Sequence, residues 1–78
     1  MSEKQGIPLN KISDCLGSEM IVDLKNHHRI VGIMAFYHFT EQMIHMSDWA
    51  EYDEKDIIIR RGSYMVINRT AWFQLYRK

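Results

Sequence analysis

Arg60-Arg61-Gly62 is the densest point of potential chemistry in the chain. A guanidinium is permanently charged, stacks on flat rings and pairs bidentately with phosphate. Two of them at a glycine either present that chemistry on a turn or stand in solvent beside one. A second group, His38, Thr40, Glu41 and Gln42, offers an imidazole, a hydroxyl, a carboxylate and an amide within one short segment. His38 with Glu41 could act as an acid/base pair, and Gln42 carries both a donor and an acceptor. Lys25 and Arg29 could touch phosphates or serve as solvated strand ends. His27-His28 invites a metal, but no cysteine or carboxylate stands at ligand spacing, so no metal site and no cofactor is expected. Cys15 falls on an amphipathic segment, and no serine sits in a nucleophile's context. Catalysis needs a nucleophile–base pair or a poised acid or base in a pocket, so the chain reads as a non-enzyme.

These residues sit in a chain of 78 residues, enough for one domain. Its 46% hydrophobic and 26% charged content is that of a folded domain. So small a core is marginal alone and usually gains support from disulfides, a metal or partner subunits. A single cysteine excludes an internal disulfide, which leaves self-association. The uncharged stretch Ile30–Phe39 is too short to cross a bilayer, and no signal peptide is read at the start. A soluble, cytoplasmic protein is expected. The zero net charge conceals a split. Glu41, Asp48, Glu51, Asp53, Glu54 and Asp56 face only Lys55, whereas Arg60, Arg61, Arg69, Arg77 and Lys78 follow with no acid. Such asymmetry fits a polyanion partner, self-association, or an unremarkable solvated surface.

The elements that must position these groups follow from periodicity. Residues 1–6 are polar and expected to fray. Leu9, Ile12 and Leu16 are spaced for a helix over about 8–17, opened by Pro8 and stopped by Gly17. From Met20 the period becomes two. Met20, Val22 and Leu24 share one face of a first strand, and Asn26-His27 turn the chain. His28–Tyr37 forms a longer strand bent at Gly32, with Ile30, Met34 and Phe36 against Val31, Ile33 and Tyr37. After a turn over His38–Glu41, Gln42–Trp49 makes a third strand. The acidic stretch 51–56 is a loop and Ile57–Arg60 a fourth strand. Arg61-Gly62-Ser63 is a tight turn with glycine at positive φ, and Tyr64–Asn68 a fifth strand. The remaining residues read as a further strand or a tail. Met20, Met34, Met43, Met46 and Met65 fill a core or interface, Tyr37 belongs to the core, and Trp49, Trp72, Phe73 and Tyr76 seal either an interface or the tail. The fold class is mostly β: a short N-terminal α-helix before a strongly bent, five-stranded antiparallel small barrel with a C-terminal extension.

In this frame the chain resembles the Sm/Sm-like (LSm) family of RNA-binding ring proteins, as a divergent member. The resemblance rests on Leu24-Lys25-Asn26, Gly32, Met34 and Tyr37 as a first motif. Arg60-Arg61-Gly62-Ser63 leading into Met65-Val66-Ile67 stands as the second. It implies one domain over 1–78: helix about 8–17, first motif about 20–49, second motif about 57–68, extension 69–78. It departs from the family at His38, where an Asp is usual, at Thr40-Glu41-Gln42 in place of His-Met-Asn, and at Arg60 in place of Ile. Carried over by position, His38 or Thr40 would face an RNA base and Gln42 would hydrogen-bond it. Arg61 beside Gly62 would cover its other side, and Arg60 would attract phosphate. The lost Asp removes the brace for uridine selectivity.

The resemblance implies a non-catalytic homo-oligomeric ring that binds single-stranded RNA, acting in RNA processing or as an RNA chaperone or scaffold, away from membranes. In the family the fourth strand of one subunit pairs with the fifth of the next. A ring of weak sites gains avidity. The alternative is a small β-barrel that mediates protein interaction or structural assembly without nucleic acid. A third reading adds DNA to RNA.

Overall fold

The computed structural model describes residues 9–78. Pro8 and the N-terminal residues 1–6 lie outside the described residues. The described residues open with a 3-10 helix, Leu9–Cys15, where the spacing predicted an α-helix to residue 17. Ile12 and Cys15 are its buried contacts, while Leu16 is 46% exposed. A three-residue turn puts i and i+3 on one face, so Cys15 takes the inward place expected for Leu16.

Five strands follow: β1 (Glu19–Leu24), β2 (Arg29–His38), β3 (Met43–Tyr52), β4 (Ile58–Ile67) and β5 (Trp72–Arg77). They form one antiparallel sheet in the order β4-β3-β2-β1-β5. The expected closed barrel is not formed within the chain: β4 pairs with β3 and β5 with β1, so the bent sheet stays open between its two outer strands. Ile12, Met20, Val22, Ile30, Met34, Ile44, Met46, Ile67 and Leu75 are buried on its concave side.

Two register shifts bend the sheet. At the first, Val31 faces Ala50 but Ile33 faces Ser47, and Asp48 takes a left-handed φ of 48°. The extra residue reverses the alternation of β3, so Trp49 and Glu51 join Ile44 and Met46 on the buried side. A side chain at Gly32 would lie 3.0 Å from the backbone of Ser47 and Trp49, which is why the close approach is made at a glycine. At the second shift Met34 faces Met46 but Phe36 faces His45. Tyr37 is thereby turned inward at 4% exposure and Phe36 outward at 47%. A strict alternation had put Phe36 with Ile30 and Met34.

The largest correction concerns β4. The predicted fourth and fifth strands are one ten-residue strand. Arg61-Gly62-Ser63 is no turn: Arg61 pairs with Ala50 and Gly62 with Trp49. Gly62 has no positive φ. It is a glycine because the Trp49 ring lies where its Cβ would be, 2.6 Å from Cζ2. The predicted extension is the fifth strand, held on β1 by the Ile21–Tyr76 and Val22–Leu75 pairs. Tyr76 donates its hydroxyl proton to Asp23 Oδ1 at 3.1 Å.

Candidate nucleic-acid interface

The connection between β2 and β3 carries Thr40, Glu41 and Gln42. Gln42 N donates to His38 O at 2.6 Å, and Gln42 itself is left-handed at φ 55°. Thr40 and Glu41 are exposed and Gln42 is half-buried. The connection between β4 and β5 is Asn68–Ala71, closed by a 2.9 Å bond from Ala71 N to Asn68 O. Trp72 Nε1, at the base of this second turn, donates to Gln42 O at 3.0 Å. One indole hydrogen bond therefore ties the two turns into a single surface.

Arg69 is the exposed cation of that surface. It stands close enough to Tyr37 for its charge to act on the phenol: burial pushes the Tyr37 hydroxyl up, and the Arg69 charge partly opposes this. The Tyr37 oxygen is buried without a hydrogen-bond partner. Sequence reasoning passed over Arg69. The available signal was Asn68-Arg69-Thr70, a polar interruption between apolar runs, which the Arg61-Gly62 match outweighed.

The predicted residues do not all meet. Thr40 and Gln42 lie on the turn surface. His38 ends β2 on the outer face, with its Nε2 3.0 Å from His45 Nε2 and its ring edge-on to Phe36 at 4.7 Å. Arg60, Arg61 and Gly62 stand far along β4, opposite Glu51, Ala50 and Trp49. The turn end of that ladder is the Ile44–Ile67 pair. Six residue steps separate Ala50 from Ile44, about 20 Å at 3.3 Å each. Arg60 is committed elsewhere: Nε at 2.8 Å and Nη2 at 2.6 Å both donate to Glu51 Oε1. Its guanidinium sits 5.4 Å over the Trp49 ring. His28 Nδ1 meets the other Glu51 oxygen at 2.8 Å. Burial alone would raise the Glu51 carboxyl, but the hydrogen bonds and charges of His28 and Arg60 outweigh it and hold the group below its ordinary value.

Among the described residues, no group of three or more His, Cys, Asp or Glu side chains could hold a metal ion. None of their helices is long and apolar enough to cross a membrane.

A bent five-stranded sheet, capped by a short helix and bringing its second and fourth connections together, can be compared with known folds. An Sm protein of Pyrococcus abyssii, solved in complex with a uridine heptamer, matches at TM-score 0.83 and 18% identity, covering 92% of this chain and 99% of that one. The chain has an Sm-like fold. A heptameric archaeal Sm protein matches at TM-score 0.77 and 17% identity, over 88% of this chain and 97% of that one. A chain of the NatC complex bound to CoA matches at 0.75 and 18%, over 95% and 90%. No family model and no curated sequence matches this chain, so the likeness is one of fold.

Proposed function

We propose that this Sm-like chain is a non-catalytic module that binds single-stranded RNA at the surface formed by turns 39–42 and 68–71. Thr40 and Gln42 present polar groups to a base edge, and Arg69 supplies the guanidinium that stacks on the base or pairs with phosphate. The observation that carries this reading is the Trp72–Gln42 hydrogen bond, which sets the polar turn beside the basic one. The overlap with a protein solved on a uridine heptamer supports it. Arg61 contributes at most a distant phosphate contact, Arg60 is occupied by Glu51, and Gly62 by Trp49.

A single site of this kind is weak, since stacking supplies about 1–3 kcal/mol per base. Repetition in a homo-oligomeric ring makes it effective. Among the described residues no strand pairs with the outer edges of β4 and β5, and Ile58, Ile59 and Phe73 on these strands, with Ile57 just before β4, are 38–62% exposed. A head-to-tail pairing of β4 with the β5 of a second copy would cover both edges and can close a ring. The overlap with a heptameric protein supports this assembly. The proposed role is in RNA processing, or as an RNA chaperone or scaffold.

The test is a fluorescence-anisotropy titration with a labelled oligouridine, alongside native mass spectrometry. Arg69→Ala should weaken binding roughly ten- to hundred-fold, the loss of one stacking or charge contact, while assembly persists. Arg61→Ala should have the smaller effect, and the opposite ranking would refute the placement. Matched RNA and DNA oligonucleotides report the part played by the 2′-hydroxyl. A second reading, an assembly module without nucleic acid, is favoured by the match to a chain of the NatC complex. Salt separates the two: RNA affinity falls steeply as salt rises through counterion release, and apolar assembly does not.

A further inference from the structure

The outer face of the β2–β3 hairpin carries a side-chain cluster that the RNA reading does not use. His38 and His45 are diagonal neighbours, since His38 pairs with Met43 and Phe36 with His45. The second register shift puts both on the same outer face. Their rings stand 4.9 Å apart, centroid to centroid, with the two Nε2 atoms facing at 3.0 Å. The other nitrogen of each ring faces an oxygen. His45 Nδ1 is hydrogen-bonded to the Tyr64 hydroxyl, and His38 Nδ1 lies 3.9 Å from Glu41 Oε1. Phe36 packs edge-on against both rings, at 4.7 and 5.6 Å.

Two bare imidazole lone pairs cannot face each other at this distance; a proton or a cation must lie between them. With a proton, His45 Nε2 donates to His38 Nε2, and Tyr64 donates to His45 Nδ1. With a cation, both Nε2 atoms become ligands, and His45 Nδ1 then carries its proton and donates to the Tyr64 oxygen, the arrangement that orients histidines around metals. The spacing is suitable. Metal–nitrogen bonds of about 2.0–2.1 Å place cis ligands about 2.9 Å apart at a right angle and about 3.4 Å apart at the tetrahedral angle. The observed separation lies nearer the square arrangement preferred by Cu2+ and Ni2+. Both rings are half-exposed, so an ion and its waters can reach them.

We propose that His38 and His45 together bind a divalent transition-metal ion through their facing Nε2 atoms, Cu2+ more tightly than Zn2+, with water completing the coordination. The ion would clamp β2 to β3 at the root of turn 39–42. The proposal does not depend on RNA binding. It concerns a pair that the sequence does not reveal, because the histidines are seven residues apart and meet only through the register shift.

The experiment is calorimetric titration of the tag-free full chain with Cu2+ and with Zn2+. His38→Gln, His45→Gln and the double variant His27→Gln/His28→Gln serve as comparisons, each first checked for a native circular-dichroism spectrum. One ion per chain is expected. Affinity should fall at least tenfold in His38→Gln and in His45→Gln and stay unchanged in the double variant. With Zn2+, nitrogen NMR should show the metal-induced shift at Nε2 of both rings. Unaltered affinity in His45→Gln, a loss confined to the His27/His28 variant, or a shift at Nδ1 would overturn the assignment.

Discussion

Replacing Gly62 with alanine places a methyl group where the Trp49 indole already lies. The new Cβ would stand 2.6, 2.7 and 2.8 Å from Cζ2, Cε2 and Nε1 of that ring. Ordinary carbon contacts are about 3.5–4.0 Å, so the ring must withdraw by about 1 Å. It has little room to do so. Trp49 is 9% exposed, its own Cα and Cβ lie 3.0 Å from where a Gly32 side chain would be, and the Arg60 guanidinium covers it at 5.4 Å. Overpacking of this kind costs about 1–3 kcal/mol. At about 4–8 °C per kcal/mol for a domain of this size, Gly62→Ala should lower Tm by roughly 4–24 °C in a melt at fixed protein concentration. A double-mutant cycle identifies the cause. In a Trp49→Leu background the methyl meets no ring, so the two losses should fall short of additivity by about 1 kcal/mol or more. Strict additivity, or a Gly62→Ala melt like that of the parent, would refute the strand geometry of β4. Strict additivity with a lowered Tm would point instead to an Arg61-Gly62 turn, where alanine fails through positive φ.

Three further outcomes follow from the same structure. The carboxyl of Glu51 is held below its ordinary value in the folded state, so it contributes stability that is fully present above the unfolded value, near 4.5, and is lost as pH falls through the folded value. Glu51→Gln should lower the unfolding free energy measured in urea at neutral pH by about 1–3 kcal/mol for the lost charged hydrogen bonds, and flatten the acid limb; an unchanged acid limb would contradict this. Trp72→Phe keeps most of the apolar contact but removes the donor to Gln42 O; a loss of about 0.5–1.5 kcal/mol in stability is expected, with weaker oligouridine binding by anisotropy. Phe73→Glu puts a charge on a residue that is 62% exposed on β5; if the chain assembles as proposed, native mass spectrometry should then show a shift from the assembled species towards single chains.

The legible parts of the sequence were those governed by one local rule. Alternation located β1, the Asn26-His27 turn set its end, and the glycine spacing marked the bend at Gly32. Reading failed where a residue's face depends on a partner strand. The extra residue at Asp48 turns Trp49 and Glu51 inward, and nothing within β3 announces it, because aspartate at a left-handed φ resembles any polar residue in a strand. The same applies to Phe36 and Tyr37, whose places are exchanged by the second shift. Gly62 misled for a related reason. A glycine between charged residues is the ordinary mark of a turn, but here the missing side chain makes room for a tryptophan thirteen positions earlier. The turn that carries Thr40 and Gln42 was legible because it is local, whereas the turn that carries Arg69 was read as the start of the extension, because β4 was taken to end at Arg60.

These failures bear on how such a small chain works. Turns 39–42 and 68–71 adjoin because the Ile44–Ile67 pair sets the start of β3 beside the end of β4, although β4 and β5 do not pair with each other. The proposed RNA surface therefore forms within one chain, held by Trp72 and Gln42, and does not wait for a neighbour. The proposed assembly has a separate origin in the outer edges of β4 and β5, which no described strand covers. A variant that stops assembly, such as Phe73→Glu, should thus retain the weak affinity of a single site while losing the avidity of many. A variant at Arg69 should do the reverse. If a single-chain variant bound oligouridine as tightly as the assembled protein, repetition would have no part in the affinity. If it bound nothing even at millimolar concentration, the site would have to be shared between copies, and the Trp72–Gln42 tie would be a feature of folding alone.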